Sequence, residues 1–275
     1  MVSDGAVPLA EVAEVVARYR LDLGSQRFRG RAGERRGHGV GSSQEFFDFR
    51  DYAPGDDLRH LDWRAYARTE QLRIRLHQEE VAPHVDLLLD TSASMASTPA
   101  KAAAAIGLVH AIRGFGDRQG SRARVLALGG GPVEADVAAF TATAAEPLLP
   151  ALPLRSAGVR IVLTDGLWSA GSTAFLQRAR VGAARFAVLQ LLDPWEIEPT
   201  ADGALTLIDC ETGERREIRL DAAAIAGYRA RLQRLCDALR GAVVGHGGLY
   251  ARIAADSLPR MCARDLLPAG ILEPR

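Results

Sequence analysis

The spacing of apolar and polar positions changes several times along the chain, and each change marks an element. Val12, Val15, Val16 and Tyr19 recur at helical spacing, which predicts a short amphipathic helix over residues 9–19 that docks on the main body. Leu58, Leu61, Ala65 and Tyr66 share one face of a second short helix expected over residues 57–67, with Asp56 after Pro54-Gly55 as its N-cap. Leu72, Ile74 and Leu76 then alternate with Arg73, Arg75 and His77, the period of a strand with one wet face.

From Val85 the pattern becomes an alternation of apolar strand and helix. Residues 85–90, 124–128, 160–163 and 186–192 read as four strands, separated by helical stretches near 99–115, 138–149 and 172–181. Nearly continuous apolar strands joined by helices predict an α/β fold with a doubly wound, mostly parallel sheet and helices on both faces. After Asp193-Pro194, residues 205–209 and 216–220 flank a Thr212-Gly213-Glu214 turn and predict a β-hairpin. A helix over 221–239, a short strand near 249–253 and a helix near 258–267 complete a C-terminal hairpin and helix region. The organisation expected is an N-terminal extension, 1–80, packed on a main domain, 81–275, with the hairpin inserted near 205–220.

Composition narrows the chemistry. The 275 residues carry 34 Lys+Arg against 34 Asp+Glu, so there is no long-range field to draw the protein onto nucleic acid or an anionic membrane. The balance is local: residues 18–36 hold seven arginines and two acids, whereas residues 45–62 hold six acids and two arginines. Lys101 is the sole lysine, and the other 33 basic residues are arginines. The Gly129-Gly130-Gly131 run is not followed by the lysine that a phosphate-cradling loop uses, which argues against nucleotide hydrolysis. Lys101 itself, in an Ala-rich helix, reads as a solvated residue. Cys210, Cys236 and Cys262 form no Cys-x-x-Cys pair, and the six histidines form no His-x-x-x-His pattern. With no apolar run near the roughly 18 residues of a membrane span, the expectation is a soluble, cytoplasmic protein.

The strongest candidate chemistry is Asp90-Thr91-Ser92-Ala93-Ser94 at the end of the first core strand, with Asp165 of Thr164-Asp165-Gly166 at the end of another. If those strands are neighbours, two carboxylates and two hydroxyls meet at the reversal of winding, where open sheets bind ligands. These are hard oxygen donors and suit magnesium. The same residue types also cap helices and make turns. A magnesium-dependent hydrolase or phosphotransferase using Asp90 and Asp165 is the catalytic alternative, although no nucleophile or base accompanies them.

Asp90 to Met95 and Thr164-Asp165-Gly166 resemble the metal-ion-dependent adhesion site of von Willebrand factor A-type domains. Glu45-Phe46, Arg50, Tyr52, Pro54-Gly55-Asp56-Asp57, Arg59, Asp62-Trp63 and Ala67-Arg68 resemble the signature of the bacterial family called domain of unknown function 58. Leu192-Asp193-Pro194-Trp195-Glu196 and Glu211-Thr212-Gly213-Glu214 extend that likeness. The resemblance implies a von Willebrand factor A-like sheet of order 3-2-1-4-5-6 and a non-enzymatic adaptor that acts with a MoxR-type AAA+ ATPase. It also implies magnesium held by Asp90, Ser92, Ser94 and Asp165, through which a carboxylate of a partner protein would bind. The Thr that such sites take from a middle loop has no clear counterpart: Ser156 is the nearest hydroxyl, and Thr141 and Thr143 lie upstream. The segment from Phe46 to Arg68 has two readings. As a partner surface it would present Arg50, Asp57, Arg59, Asp62 and Arg68, with Trp63 as an aromatic anchor. As an internal clasp, the reading we favour from sequence, Asp56 caps a helix, Trp63 enters the core and the charges pair.

Overall fold

A computed structural model describes residues 9–22, 44–53, 61–79, 84–128, 132–133, 140, 154–155, 158–168, 173–200 and 203–275. The chain divides into two compact units, residues 1–24 with 83–275, and residues 25–82.

In the larger unit the first elements are helix α1 (Leu9–Arg18) and strand β1 (Tyr19–Leu21). The smaller unit carries β2 (Gln44–Asp51), α2 (Trp63–Thr69) and β3 (Arg73–Glu79). The larger unit resumes with β4 (Val85–Leu89), a 3-10 turn (Ala93–Ala96), α3 (Pro99–Arg118), β5 (Ala123–Ala127), β6 (Pro132–Val133) and β7 (Val159–Thr164). It continues with α4 (Thr173–Arg180), β8 (Arg185–Leu192), α5 (Pro194–Ile197), β9 (Gly203–Ile208) and β10 (Arg215–Leu220). The chain ends with α6 (Ala222–Val244), β11 (Leu249–Ala254), α7 (Leu258–Met261), a π turn (Cys262–Leu266) and β12 (Leu272–Pro274).

The central sheet runs β11-β8-β7-β4-β5-β6. Its first five strands pair in parallel, and only the two-residue β6 is antiparallel, at the edge. Counted within the sheet in chain order this is 3-2-1-4-5-6, and the winding reverses between β4 and β7. The strands are largely apolar because both faces are covered, though β4, β7 and β8 each carry a buried polar residue, Asp86, Arg160 and Gln190. Leu87 and Leu89, Ile161 and Leu163, and Leu189 and Leu191 face a cluster built with Val15, Val16, Leu108, Ile112 and Phe115. Leu88, Val162 and Val188, each next to one of these, face Phe175, Leu176, Leu239 and Val243 on the other side. Alternation within an unbroken run thus distributes three consecutive leucines between two cores. Each of the three is fully buried, so truncating one to alanine costs about 2–5 kcal/mol.

Several boundaries differ from expectation. The first helix stops at Arg18, where Tyr19 begins β1, and β1 pairs antiparallel with β12. Val15, Val16, Tyr19 and Leu21 enter the first core, so this segment is built into the larger unit. The helix expected over 57–67 is α2, which begins only at Trp63; its N-cap is Asp62, which accepts from the amides of Arg64 and Ala65 at 3.0 and 3.1 Å. Asp56, Asp57, Arg59 and, residue 140 apart, the helix expected over 138–149 lie outside the described residues. Strand β3 pairs antiparallel with β2, with a bulge between Phe46 and Asp48. The hairpin is found as β9 and β10. The last helix breaks into α7 and a π turn.

Candidate functional site

Strands β4 and β7 are neighbours, and the amide of Asp90 donates to the carbonyl of Leu163 at 2.9 Å. The two strand-end carboxylates, Asp90 and Asp165, therefore sit side by side at the reversal, 2% and 1% exposed. Asp90 accepts three hydrogen bonds. Its Oδ1 takes the amide of Ser92 at 3.0 Å, and its Oδ2 takes the Thr164 hydroxyl at 2.6 Å and the Trp168 indole N–H at 2.8 Å. The hydroxyls of Ser92 and Ser94 lie 3.0 Å apart and bond to each other. In this turn Gly166 adopts φ +74°, and a Cβ there would meet Leu239 Cδ2 at 3.1 Å, so the third position of Thr-Asp-Gly is a glycine for backbone reasons.

Asp165 has a partner that sequence reasoning missed. The ammonium of Lys101 donates to Asp165 Oδ2 at 3.1 Å and to both oxygens of Glu196 at 2.9 and 3.0 Å. Lys101 is 0% exposed, which overturns its reading as a solvated helix residue. Thr98 is the N-cap of α3 and its hydroxyl accepts from the Lys101 amide, with Pro99 in the first helical position, which places Lys101 in the first turn. Glu196 is held by a capping box on α5: its side chain accepts from the Asp193 amide at 2.7 Å while Asp193 accepts from Trp195. Asp193 also accepts from the Thr98 hydroxyl at 2.6 Å, tying α5 to the start of α3. Gln190 donates to the Asp165 carbonyl, and Tyr228 donates to that of Glu196.

Partial burial, then Asp209, Asp165 and Asp90, push the carboxyl of Glu211 up. Burial, then the Glu196 charge, push the Tyr228 phenol up. The hairpin turn carrying Glu211-Thr212-Gly213-Glu214 thus stands within electrostatic reach of the strand-end carboxylates. Beside it a groove of about 880 Å³ runs between the hairpin and α6, bordered by Trp195, Leu207, Ile208 and Tyr228.

The resemblance implies magnesium at these side chains. Such an ion takes six oxygens in near-ideal octahedral geometry. As they stand, Asp90 Oδ2 already accepts two hydrogen bonds, Asp165 Oδ2 faces an ammonium and the two serine hydroxyls satisfy each other. This set does not fit the ion without rearrangement. Thr141, Thr143 and Ser156 lie outside the described residues.

The second set of candidates lies in the smaller unit. Asp62 is buried and spends its carboxylate on capping α2. Trp63 is 61% exposed rather than in the core, and it meets the half-exposed Tyr66 edge to face at 6.3 Å. Arg68 is exposed and donates to the Arg64 carbonyl. Arg50 is in β2.

At the opposite end of the sheet, Asp86 is bridged by Arg124 through Nε and Nη2 and by the amide of Arg155. Burial pushes the Asp86 carboxyl up, but these hydrogen bonds and the Arg124 charge outweigh it and hold the group below the ordinary carboxylate range. Arg160, 2% exposed, reaches from β7 to the carbonyls of Ala179, Val181 and Arg155.

Among solved structures, the protein BatB of Bacteroides thetaiotaomicron matches at 15% identity with a TM-score of 0.30, covering 66% of this chain and 95% of that one. An aerotolerance-related membrane protein of Bacteroides fragilis matches at 17% identity and the same score, covering 66% and 96%. Likeness at this level bears on neither function nor partner. Uncharacterized proteins of Mycobacterium tuberculosis and Mycobacterium bovis are 29% identical over 231 residues, 70% of this chain and 71% of theirs. No helix among the described residues is long and apolar enough to cross a membrane. A family model described as "Protein of unknown function DUF58" matches residues 48–237, and the chain belongs to that family.

Proposed function

We propose that the protein is a non-enzymatic adaptor on a von Willebrand factor A-like domain, acting in the cytoplasm with a MoxR-type AAA+ ATPase. The crevice around Asp90, Ser92, Ser94 and Asp165 is the recognised face. One observation carries this reading: Asp90 and Asp165 end neighbouring strands where the winding reverses, the position at which open sheets present a ligand site. The order 3-2-1-4-5-6, with Asp-x-Ser-x-Ser after the first strand and Thr-Asp-Gly after the fourth, supports the domain type. The adaptor is preferred to a hydrolase because no histidine, cysteine or free base hydrogen-bonds Asp90, Asp165, Ser92 or Ser94 among the described residues.

The experiment is a binding titration of the purified chain against the AAA+ ATPase encoded nearest to its gene, with wild type, Asp90→Ala and Trp63→Ala compared after thermal melts confirm folding. The expected result is an affinity reduced at least tenfold in Asp90→Ala and unchanged in Trp63→Ala. Loss in Trp63→Ala alone would refute the crevice and move the contact to α2. Absence of binding by wild type with and without nucleotide would refute the partner.

A further inference from the structure

We infer that Lys101 is the resident cation of the crevice, occupying the role that resemblance gives to magnesium, so that the site is organised without a divalent ion. The cation is covalent and built in, and it arrives from the first turn of α3 rather than from solvent.

Three observations converge on this. The first is geometric: the ammonium lies 3.1 Å from Asp165 and 2.9 Å from Glu196, with lysine and aspartate side chains 0% and 1% exposed. Burying a lone charge at such a position is prohibitive, and it is stable only because both carboxylates meet it. The second is positional. Lys101 stands three residues after the Thr98 cap, in the turn where unpaired amides and the helix dipole disfavour positive charge. A cation is retained there only by acids supplied from elsewhere, and Asp165 after β7 and Glu196 on α5 supply them. The third is compositional. Every other Lys+Arg residue of the 34 is an arginine. A planar guanidinium suits two-point contact, whereas a compact ammonium on an unbranched stem can sit between two carboxylates as an ion does.

The consequence is a division of labour. Asp165 and Glu196 are met by Lys101; Asp90 is met by Ser92, Thr164 and Trp168. Lys101 joins the β7 turn, the start of α3 and the α5 capping box into one body. It is a positioning residue, and the inference stands on the free protein whether or not the adaptor reading holds.

The test uses the full chain alone. Protein dialysed against EDTA is melted with and without 10 mM magnesium at constant ionic strength, roughly a hundredfold excess over a site whose Kd is about 0.1 mM. The expected result is unchanged melting, whereas a resident ion at that excess would raise Tm by roughly 5–10 °C and overturn the inference. Lys101→Met should lower Tm by roughly 6–20 °C, and Lys101→Met with Asp165→Asn should lose clearly less than the sum of the two single changes. Additive losses would mean that the lysine merely fills space, and would refute its role as counter-ion. An amine-specific acylating reagent supplies an independent arm should those variants fail to fold. In the native protein it should modify the α-amino group and spare Lys101 until denaturant is added. Native modification of Lys101 at the rate of an exposed amine would overturn the inference.

Discussion

Replacing Asp90 with asparagine separates a carboxylate that organises the crevice from one that waits for a metal. The side chain is 2% exposed and accepts from the Ser92 amide on one oxygen and from Thr164 and Trp168 on the other. Asparagine keeps one acceptor oxygen and turns the other atom into a donor. With the oxygen toward Thr164 and Trp168, the new NH2 confronts the Ser92 N–H. With the oxygen toward Ser92, the NH2 confronts the indole N–H, while the Thr164 hydroxyl can rotate. Either way one buried N–H loses its acceptor, at about 1–3 kcal/mol, and the surviving bonds lose the assistance of charge. The expected loss is about 2–4 kcal/mol, a Tm decrease of roughly 4–16 °C for a chain of this size. The assay is urea unfolding in EDTA, followed by far-UV circular dichroism, for wild type, Asp90→Asn and Trp168→Phe; the last removes one donor to a charged acceptor and should lose about 1.5–3 kcal/mol. Were Asp90 an idle metal ligand beside Asp165, neutralising it in EDTA would relieve like-charge repulsion. An Asp90→Asn protein as stable as wild type or more stable would therefore refute the reasoning.

Because Asp86 is held below the ordinary carboxylate range, its contribution to stability is present above the unfolded value of about 3.9 and is lost as pH falls through the lower folded value. Asp86→Asn should accordingly flatten the acid limb of a stability–pH curve below about pH 4, and superimposable acid limbs would contradict the Arg124 pairing. Arg160→Met should leave the carbonyls of Ala179, Val181 and Arg155 without donors and cost about 2–5 kcal/mol in denaturant unfolding. It should also raise protease sensitivity at the end of α4, where two of those carbonyls lie; stability within about 0.5 kcal/mol of wild type would refute the capping role.

The central sheet was legible because a parallel strand covered on both faces has little choice of residue, and runs such as Leu87 to Leu89 and Ile161 to Leu163 declare themselves by continuity. The pairing of β1 with β12 was not legible: three residues display no period, and contacts such as Arg20 with Glu273 join positions 253 apart. The cap of α2 was misplaced because Asp56 and Asp62 are chemically equivalent N-caps preceding apolar residues, and what identifies Asp62 is its burial against two amides. At the site, Asp90 and Asp165 were visible as strand-end acids, but their adjacency required the strand order. Trp168, Thr164 and Glu196 stood in the sequence just after or at strand ends, but their hydrogen bonds to Asp90 and Lys101 depend on turn geometry that no periodicity displays.

Lys101 is legible only when two features of the sequence are combined. A lysine among alanines in a helix is ordinarily solvated, and that expectation averages over helices whose charge lies anywhere along their length. It does not apply to the first turn after a Thr cap, where a cation works against the dipole and needs an acid from another segment. Nor does it apply evenly in a chain that uses arginine at 33 basic positions and lysine at one, because a surface would accept either. The position that keeps lysine is therefore one where the arginine fork does not serve, and a buried seat between two carboxylates is such a position. Taken together, cap spacing and the single use of lysine point to an internal ion pair at the start of α3. The acids near the start of α3 were already in view as Asp165 of Thr-Asp-Gly and Glu196 of Asp-Pro-Trp-Glu, and only the fold could show that both reach the same ammonium.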